Sequence, residues 1–139
     1  MNYEQTSDNQ YLIFRTAGKL VGTNIELVKR ILQYDYLQKV PLAMDYFDGL
    51  VKFDNKPIPL FNLPHAMGLK EKKITSENLI AVHSVHGIDI AFKIGNVVTV
   101  TRIENSSLEE CTEDIKGVDQ IAVWDETEIY ILNAEKVVQ

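Results

Sequence analysis

Two segments of this chain, VKFDNKPIPLFNL (51–63) and AVWDETEIYILNA (122–134), carry one pattern. Laid over each other, they align Phe53 with Trp124, Asp54 with Asp125, Ile58 with Ile129, Leu60 with Ile131 and Asn62 with Asn133, a constant offset of 71 residues. A chain of 139 residues that repeats itself at about half its length folds into two related units. Fainter echoes extend the repeat: YLIF at 11 resembles NLIA at 78, and VKRI at 28 resembles TRI at 101. The expectation is two related β lobes, each of about half the chain. Strands can be exchanged across the boundary, so the segments of a lobe need not be contiguous.

The repeated segments alternate apolar and polar residues with a period of two, and so does most of the chain. Strands are predicted over 10–16, 19–23, 31–40, 50–53, 57–61, 78–85, 88–94, 97–103, 120–124 and 128–132. That density of short strands points to a sandwich or barrel. A short helix is predicted over 25–32, because Thr23 and Glu26 stand at capping-box spacing while Ile25, Val28 and Leu32 fall on one helical face. Single helical turns are expected at 42–47, after Pro41, and at 63–67, where Pro64 suits a first-turn position.

Pro57 and Pro59 interrupt one of the strongest strand signals, and proline has no N–H to give a ladder. If Asp54 and Asn55 form a two-residue hairpin loop, Phe53 faces Lys56, Val51 faces Ile58 and Gly49 faces Leu60. Residues 56, 58 and 60 then bond across the hairpin, and 57 and 59 direct their missing donors away from it. The hairpin loses nothing, but no further strand should pair regularly on the outer side. Val51, Phe53, Ile58 and Leu60 share a core face in this register. Leu50, Lys52, Pro57, Pro59 and Phe61 make a second face too apolar to be merely solvated. Such an edge suits a docking surface that resists indiscriminate β-pairing, and equally one that is only kept from aggregating.

The residue types exclude several functions. A formal charge of −6 with no basic stripe argues against nucleic acid, since phosphate binding needs clustered Lys and Arg. No apolar run approaches the roughly 20 residues that span a bilayer, and the polar start is not a signal peptide, so no membrane insertion and a cytoplasmic location are expected. Residues 1–9 read as a flexible N-terminal tail and 10–139 as a single domain of two intertwined lobes. His83 and His86 stand at H-x-x-H spacing, but three residues along a strand point to opposite faces, a poor geometry for chelation. His65 falls in a proline-started turn and reads as a surface or capping residue. The single Cys111 sits among acids with nothing to lower its pKa. With no phosphate loop or nucleophile motif, a binding or scaffolding protein is the better reading than an enzyme. A different class remains open: a small β-barrel binding a small ligand between its lobes, with His83 or Tyr130 as polar anchor.

The order of signals resembles the CheW family, the coupling proteins of bacterial chemotaxis, from about Tyr11 to Val138. It carries an opening YLIF strand, then NIELVKRIL, Val40 and Pro41, GLVKFDNKPIPLFNL, and a closing IYILNAEKVV. Gly49, Val51, Ile58, Pro59, Leu60 and Leu63 match the family signature G-[VI]-[IV]-N-L-R-G-x-[VI]-[VI]-P-[VI]-x-D-L. The departures fall on the turn: Lys52, Phe53, Asp54 and Asn55 stand where N-L-R-G is usual, and Asn62 where aspartate is. The resemblance implies a mainly β fold of two SH3-like five-stranded β-barrel lobes on a shared core, with a few short helices. It implies no catalytic site and no cofactor. It implies two partners: the regulatory domain of a CheA-type histidine kinase, and the cytoplasmic tip of chemoreceptors, a helical hairpin seated in the groove between lobes. The contact residues it suggests are Ile31, Lys52, Asp54 and Asn55. Core packing is the competing reading for Ile31, and a solvated hairpin tip for the other three.

Overall fold

In the computed structural model of the chain, residues 8–33, 47–69 and 79–138 are described. They form β1 (Asp8–Thr16), β2 (Lys19–Asn24), β3 (Val28–Gln33), β4 (Phe47–Phe53), β5 (Lys56–Asn62), β6 (Leu79–Val85), β7 (Ile88–Ile94), β8 (Val97–Glu104), β9 (Glu109–Glu110), β10 (Val118–Trp124) and β11 (Thr127–Leu132). Two four-residue helices, α1 (Leu63–Ala66) and α2 (Ala134–Val137), follow β5 and β11. The strands make two sheets, ordered β8-β1-β2-β11-β10-β9 and β3-β6-β7-β5-β4. Without the two-residue β9, each lobe has five strands, as expected.

The lobes are assembled by reciprocal exchange. Hairpin β1–β2 sends the next strand, β3, to pair with β6 of the other sheet, and hairpin β6–β7 sends β8 back to pair with β1. Hairpins β4–β5 and β10–β11 complete one lobe each, and β5 and β11 lie parallel to β7 and β2. The offset of 71 between these hairpins is thus structural. Phe53, Ile58 and Leu60 help fill the interior of one lobe, and Trp124, Ile129 and Ile131 serve in the other. Leu32 faces Ile80, and Thr99 faces Ile13, so the structure equates β3 with β8 by strand partner rather than by the VKRI and TRI echo. A third cluster, including Phe14, Val21, Phe61, Phe92 and Val137, lies between the sheets and joins the lobes.

Among the described residues, four two-residue hairpin tips have both central residues at positive φ: Ala17–Gly18, Asp54–Asn55, His86–Gly87 and Asp125–Glu126. This is the twist-matched geometry of tight hairpins. The β4–β5 register is the predicted one, with Phe53 opposite Lys56, Val51 opposite Ile58 and Gly49 opposite Leu60. The unpaired outer side is a correction. β5 is an inner strand, pairing with β7 through Leu60, Phe61 and Asn62, and β4 is the sheet edge. The prolines do not forbid a neighbour; they confine its ladder to the residues beyond Pro59. The second lobe has Glu128 and Tyr130 at the proline positions. There the parallel ladder starts at Ile129, the counterpart of Ile58, two positions earlier.

The helix over 25–32 is a second correction. One 3₁₀ turn, Ile25–Leu27, is capped by Asn24, whose side chain accepts from the Glu26 N–H at 2.9 Å. The chain then becomes β3. Thr23, the expected cap, is fully buried with its hydroxyl 2.9 Å from His83 Nε2. An isolated helix of eight residues is marginal, and pairing of the β-branched Val28 and Ile31 along β6 outweighs it. The turn at 63–67 is present as α1, with Pro64 in its first turn and Asn62 accepting from the His65 N–H at 3.1 Å. Asn133 caps α2 in the same way at 3.2 Å. Of the stretch 42–47, only Phe47 is among the described residues, and it opens β4. The strand expected over 31–40 is described as far as Gln33. Of the expected tail, Asp8 and Asn9 belong to β1, and 1–7 lie outside the described residues.

Candidate functional site

Two surface features converge chemically useful residues. The first is the rim where the five-stranded sheet curls on itself. Arg30 of β3 places its guanidinium 5.7 Å from the centre of the Phe53 ring of β4, so the two outer strands of that sheet meet. Around this contact Lys52, Asp54, Asn55 and Lys56 are exposed. Asp54 and Asn55 tolerate φ of 53° and 62° because their short polar side chains make the left-handed region accessible. Lys29, next to Arg30, is tied to Asp89 at 2.9 Å. The structure therefore gathers Lys52, Asp54 and Asn55 at one tip. It does not bring Ile31 to them: that side chain is half-buried and packs against the cluster between the sheets. Arg30 was missed from sequence because its place depends on sheet curvature, and no spacing along the chain encodes that approach.

The second feature is a groove of about 480 Å³ between the lobes. Its apolar lining includes Tyr11 and Ile131 from one sheet and Leu27 and Val85 from segments that meet the other. His86 at the β6–β7 tip lies 2.7 Å from the Glu135 carboxylate on α2, so a side-chain hydrogen bond links the lobes at the groove wall. Lys136 pairs with Asp119 at 2.8 Å nearby. Burial pushes the Tyr11 phenol above its ordinary pKa, and a hydrogen bond with Asn9 works in the opposite direction.

The two anchors expected for a small ligand do not line this groove. His83 is fully buried, edge-on to the Phe92 ring at 5.0 Å, with its ring nitrogens near Thr23 Oγ1 and, at 3.4 Å, the Ala81 carbonyl. Desolvation drives its pKa down to about 4, against a smaller opposing effect of the Ala81 carbonyl. It is a neutral structural histidine that ties β6 to β2. Tyr130 donates its hydroxyl to Glu113 at 2.7 Å and lies under Lys19 Nζ at 5.0 Å. That bond to a carboxylate, with burial adding to it, raises its pKa to about 12. Both residues are occupied in holding the fold. His65 is exposed on α1, and Cys111 is half-buried against the cluster between the sheets. Among the described residues, no group of three His, Cys, Asp or Glu could hold a metal ion, and no helix is long and apolar enough to cross a membrane.

Comparison with known proteins bears on these surfaces. A family model described as CheW-like domain matches residues 10–139. A crystal structure of the scaffolding protein TtCheW from Thermoanaerobacter tengcongensis is similar in fold, with a TM-score of 0.89 at 20% sequence identity over 100% of this chain and 93% of that one. No curated protein sequence matches the chain.

Proposed function

The chain belongs to the family of CheW-like domains, and from that premise we propose that it is a non-enzymatic cytoplasmic adaptor. It couples chemoreceptors to a CheA-type histidine kinase in chemotaxis signal transduction. The observation that carries the reading is the family match over residues 10–139. The two surfaces give the role its physical form. The curled rim at Arg30, Phe53 and the Asp54–Asn55 tip offers charged, hydrogen-bonding side chains on a rigid hairpin, suited to the kinase's regulatory domain. The inter-lobe groove is lined by apolar side chains such as Tyr11, Leu27, Val85 and Ile131 together with the polar His86, Asp119 and Glu135, which suits an amphipathic helix of the receptor tip. Of the four contact residues expected from the resemblance, Lys52, Asp54 and Asn55 belong to this rim. Ile31 does not: it packs against the cluster between the sheets.

Titration of the chain against the regulatory domain of its cognate kinase tests the reading. Saturable binding at about tens of micromolar or tighter is expected, as for transient signalling contacts. No binding in that range removes the kinase arm of the proposal. A second reading, a small-molecule site in the groove, has the groove's volume in its favour, since about 300–1,000 Å³ is usual for such sites. It would have to use Tyr11 and the His86–Glu135 pair, because His83 and Tyr130 are engaged elsewhere.

A further inference from the structure

The two hairpin tips related by the repeat carry opposite charge. Residues 52–57 (KFDNKP) have a net charge of +1, and their counterparts 71 positions further on, 123–128 (VWDETE), have −3. Every charged side chain in both segments is exposed. Arg30 approaches the first tip from β3 and adds a further cation, so this rim is net positive in a chain whose formal charge is −6. Lys29 is tied to Asp89 and Lys136 to Asp119, whereas Arg30, Lys52 and Lys56 have no carboxylate partner among the described residues. Arg30 is the best placed of the three. The Phe53 ring is buried in the lobe interior and holds the guanidinium at 5.7 Å from its centre. A guanidinium rested on a ring keeps in-plane N–H groups for a forked bond to a carboxylate, with less side-chain freedom left to lose. The tip itself presents Asp54 where the family signature has arginine, and the rim draws its guanidinium from the facing strand instead.

We propose that this rim recognises an acidic face of the kinase's regulatory domain, and that Arg30 is the residue that selects it, by forking onto a carboxylate there. The inference rests on the adaptor reading and adds to it the sign of the partner's surface. Charge complementarity chooses the occupant: three cations without carboxylate partners attract an acidic face and reject a basic one. Phosphate backbones suit the rim less well, because Asp54 stands between Lys52 and Lys56 and breaks any continuous basic track. The acidic tip at Asp125, Glu126 and Glu128 makes the chain electrically lopsided, so an approaching acidic surface is steered to the rim and away from the other lobe.

Titration of the full chain against the regulatory domain of its cognate kinase, from about 50 mM to about 300 mM NaCl, tests the proposal, with affinity falling as salt rises. Arg30→Gln is expected to weaken binding at least about fivefold, and Arg30→Lys, which keeps the charge but loses the fork, to recover only part of it. Asp54→Asn removes the one anion of the tip while keeping a residue that tolerates its left-handed backbone, and is expected to tighten binding. Glu128→Gln on the other tip is expected to leave affinity within about twofold. Circular dichroism checks that Arg30→Gln is folded, and Asp54→Asn carries the test if it is not. Binding indifferent to salt, or left unchanged by both Arg30→Gln and Asp54→Asn, overturns the proposal while the adaptor reading stands. So does an affinity that depends on Arg30 for the receptor tip or for a duplex oligonucleotide in place of the kinase domain. No binding by the unaltered chain at any salt removes the kinase arm of the adaptor reading, and this inference with it.

Discussion

At the scale of single residues, His83 makes stability depend on pH. In the unfolded chain it titrates near the usual 6.5, and in the fold near 4, because burial beside Phe92 and Thr23 penalises the imidazolium. As pH falls below 6.5 the unfolded chain takes up a proton that the folded chain refuses. Stability contributed by neutral His83 is therefore full above about pH 6.5, declines between pH 6.5 and 4, and levels off below. The loss is about 3 kcal/mol at most. Urea denaturation at pH 7.5 and pH 4.5 should show most of it, and the difference should shrink in His83→Gln. At the β4–β5 tip, Asp54 stands where the family signature has arginine. Asp54→Arg reverses that charge beside exposed Lys52 and Lys56. It should change the affinity for the kinase's regulatory domain by at least about threefold, with a change in salt dependence, while altering stability by less than about 1 kcal/mol. An unchanged affinity would make the tip a turn and nothing more. The asparagines at the ends of β5 and β11 show why Asn62 can replace an aspartate: both residue types accept from a helix N–H, and Asn62 and Asn133 do so on α1 and α2.

At the scale of elements, the prolines of β5 set the length of a ladder. Positions 57 and 59 direct their backbone nitrogen away from β4 and toward β7, so the parallel pairing begins only at Leu60. In β11 the residue at the position of Pro59 is Tyr130, which pairs with Val21. Pro59→Val should extend the β5–β7 ladder upstream. Exchange of the amide hydrogen gained at position 59 is expected to be slowed to a rate comparable with that of Tyr130. If the new amide exchanged without protection, β7 would diverge there for another reason. The exchange of β3 and β8 explains why the helix expected over 25–32 is not formed, whereas the strand expected from Ile31 is present as far as Gln33. The segment has both a helical face and β-branched residues, and what decides between them is the strand β6, about fifty residues further along the chain. α1 could be read because its signal, Pro64, lies within it; the Asn62 cap was seen only in the structure.

At the scale of the whole molecule, the two lobes share one interior. The cluster that joins them draws on both sheets and on α1 and α2, and each lobe contains a strand that arrives from the other's hairpin. We infer that no single cut releases a lobe that folds alone. A fragment of residues 1–78 would lack β6 and β7, leaving β3 without its neighbour and β5 without its inner one, and its complement would lack β1 and β2. Each expressed separately is expected to show no cooperative thermal transition, whereas the full chain should unfold in one step seen alike by near- and far-ultraviolet circular dichroism. A cooperative transition in either half would count against the shared interior as the source of stability.

Much of this architecture was legible in the residues. The repeat, the period-two alternation, the Asp54–Asn55 tip and the β4–β5 register depend on neighbours a few positions apart, and local sterics and hydrogen-bond alternation are enough to determine them. Family signature positions such as Gly49, Pro59 and Leu60 were readable by the resemblance to the CheW family. Only the tertiary structure decided that β5 is an inner strand, that Val28–Arg30 is strand rather than helix, that Arg30 reaches Phe53 and that His83 is sealed against Thr23 rather than offered to a ligand. Each of these is a contact between segments far apart in the chain. Its energy depends on how two sheets curl and exchange strands, which no local pattern of residues specifies.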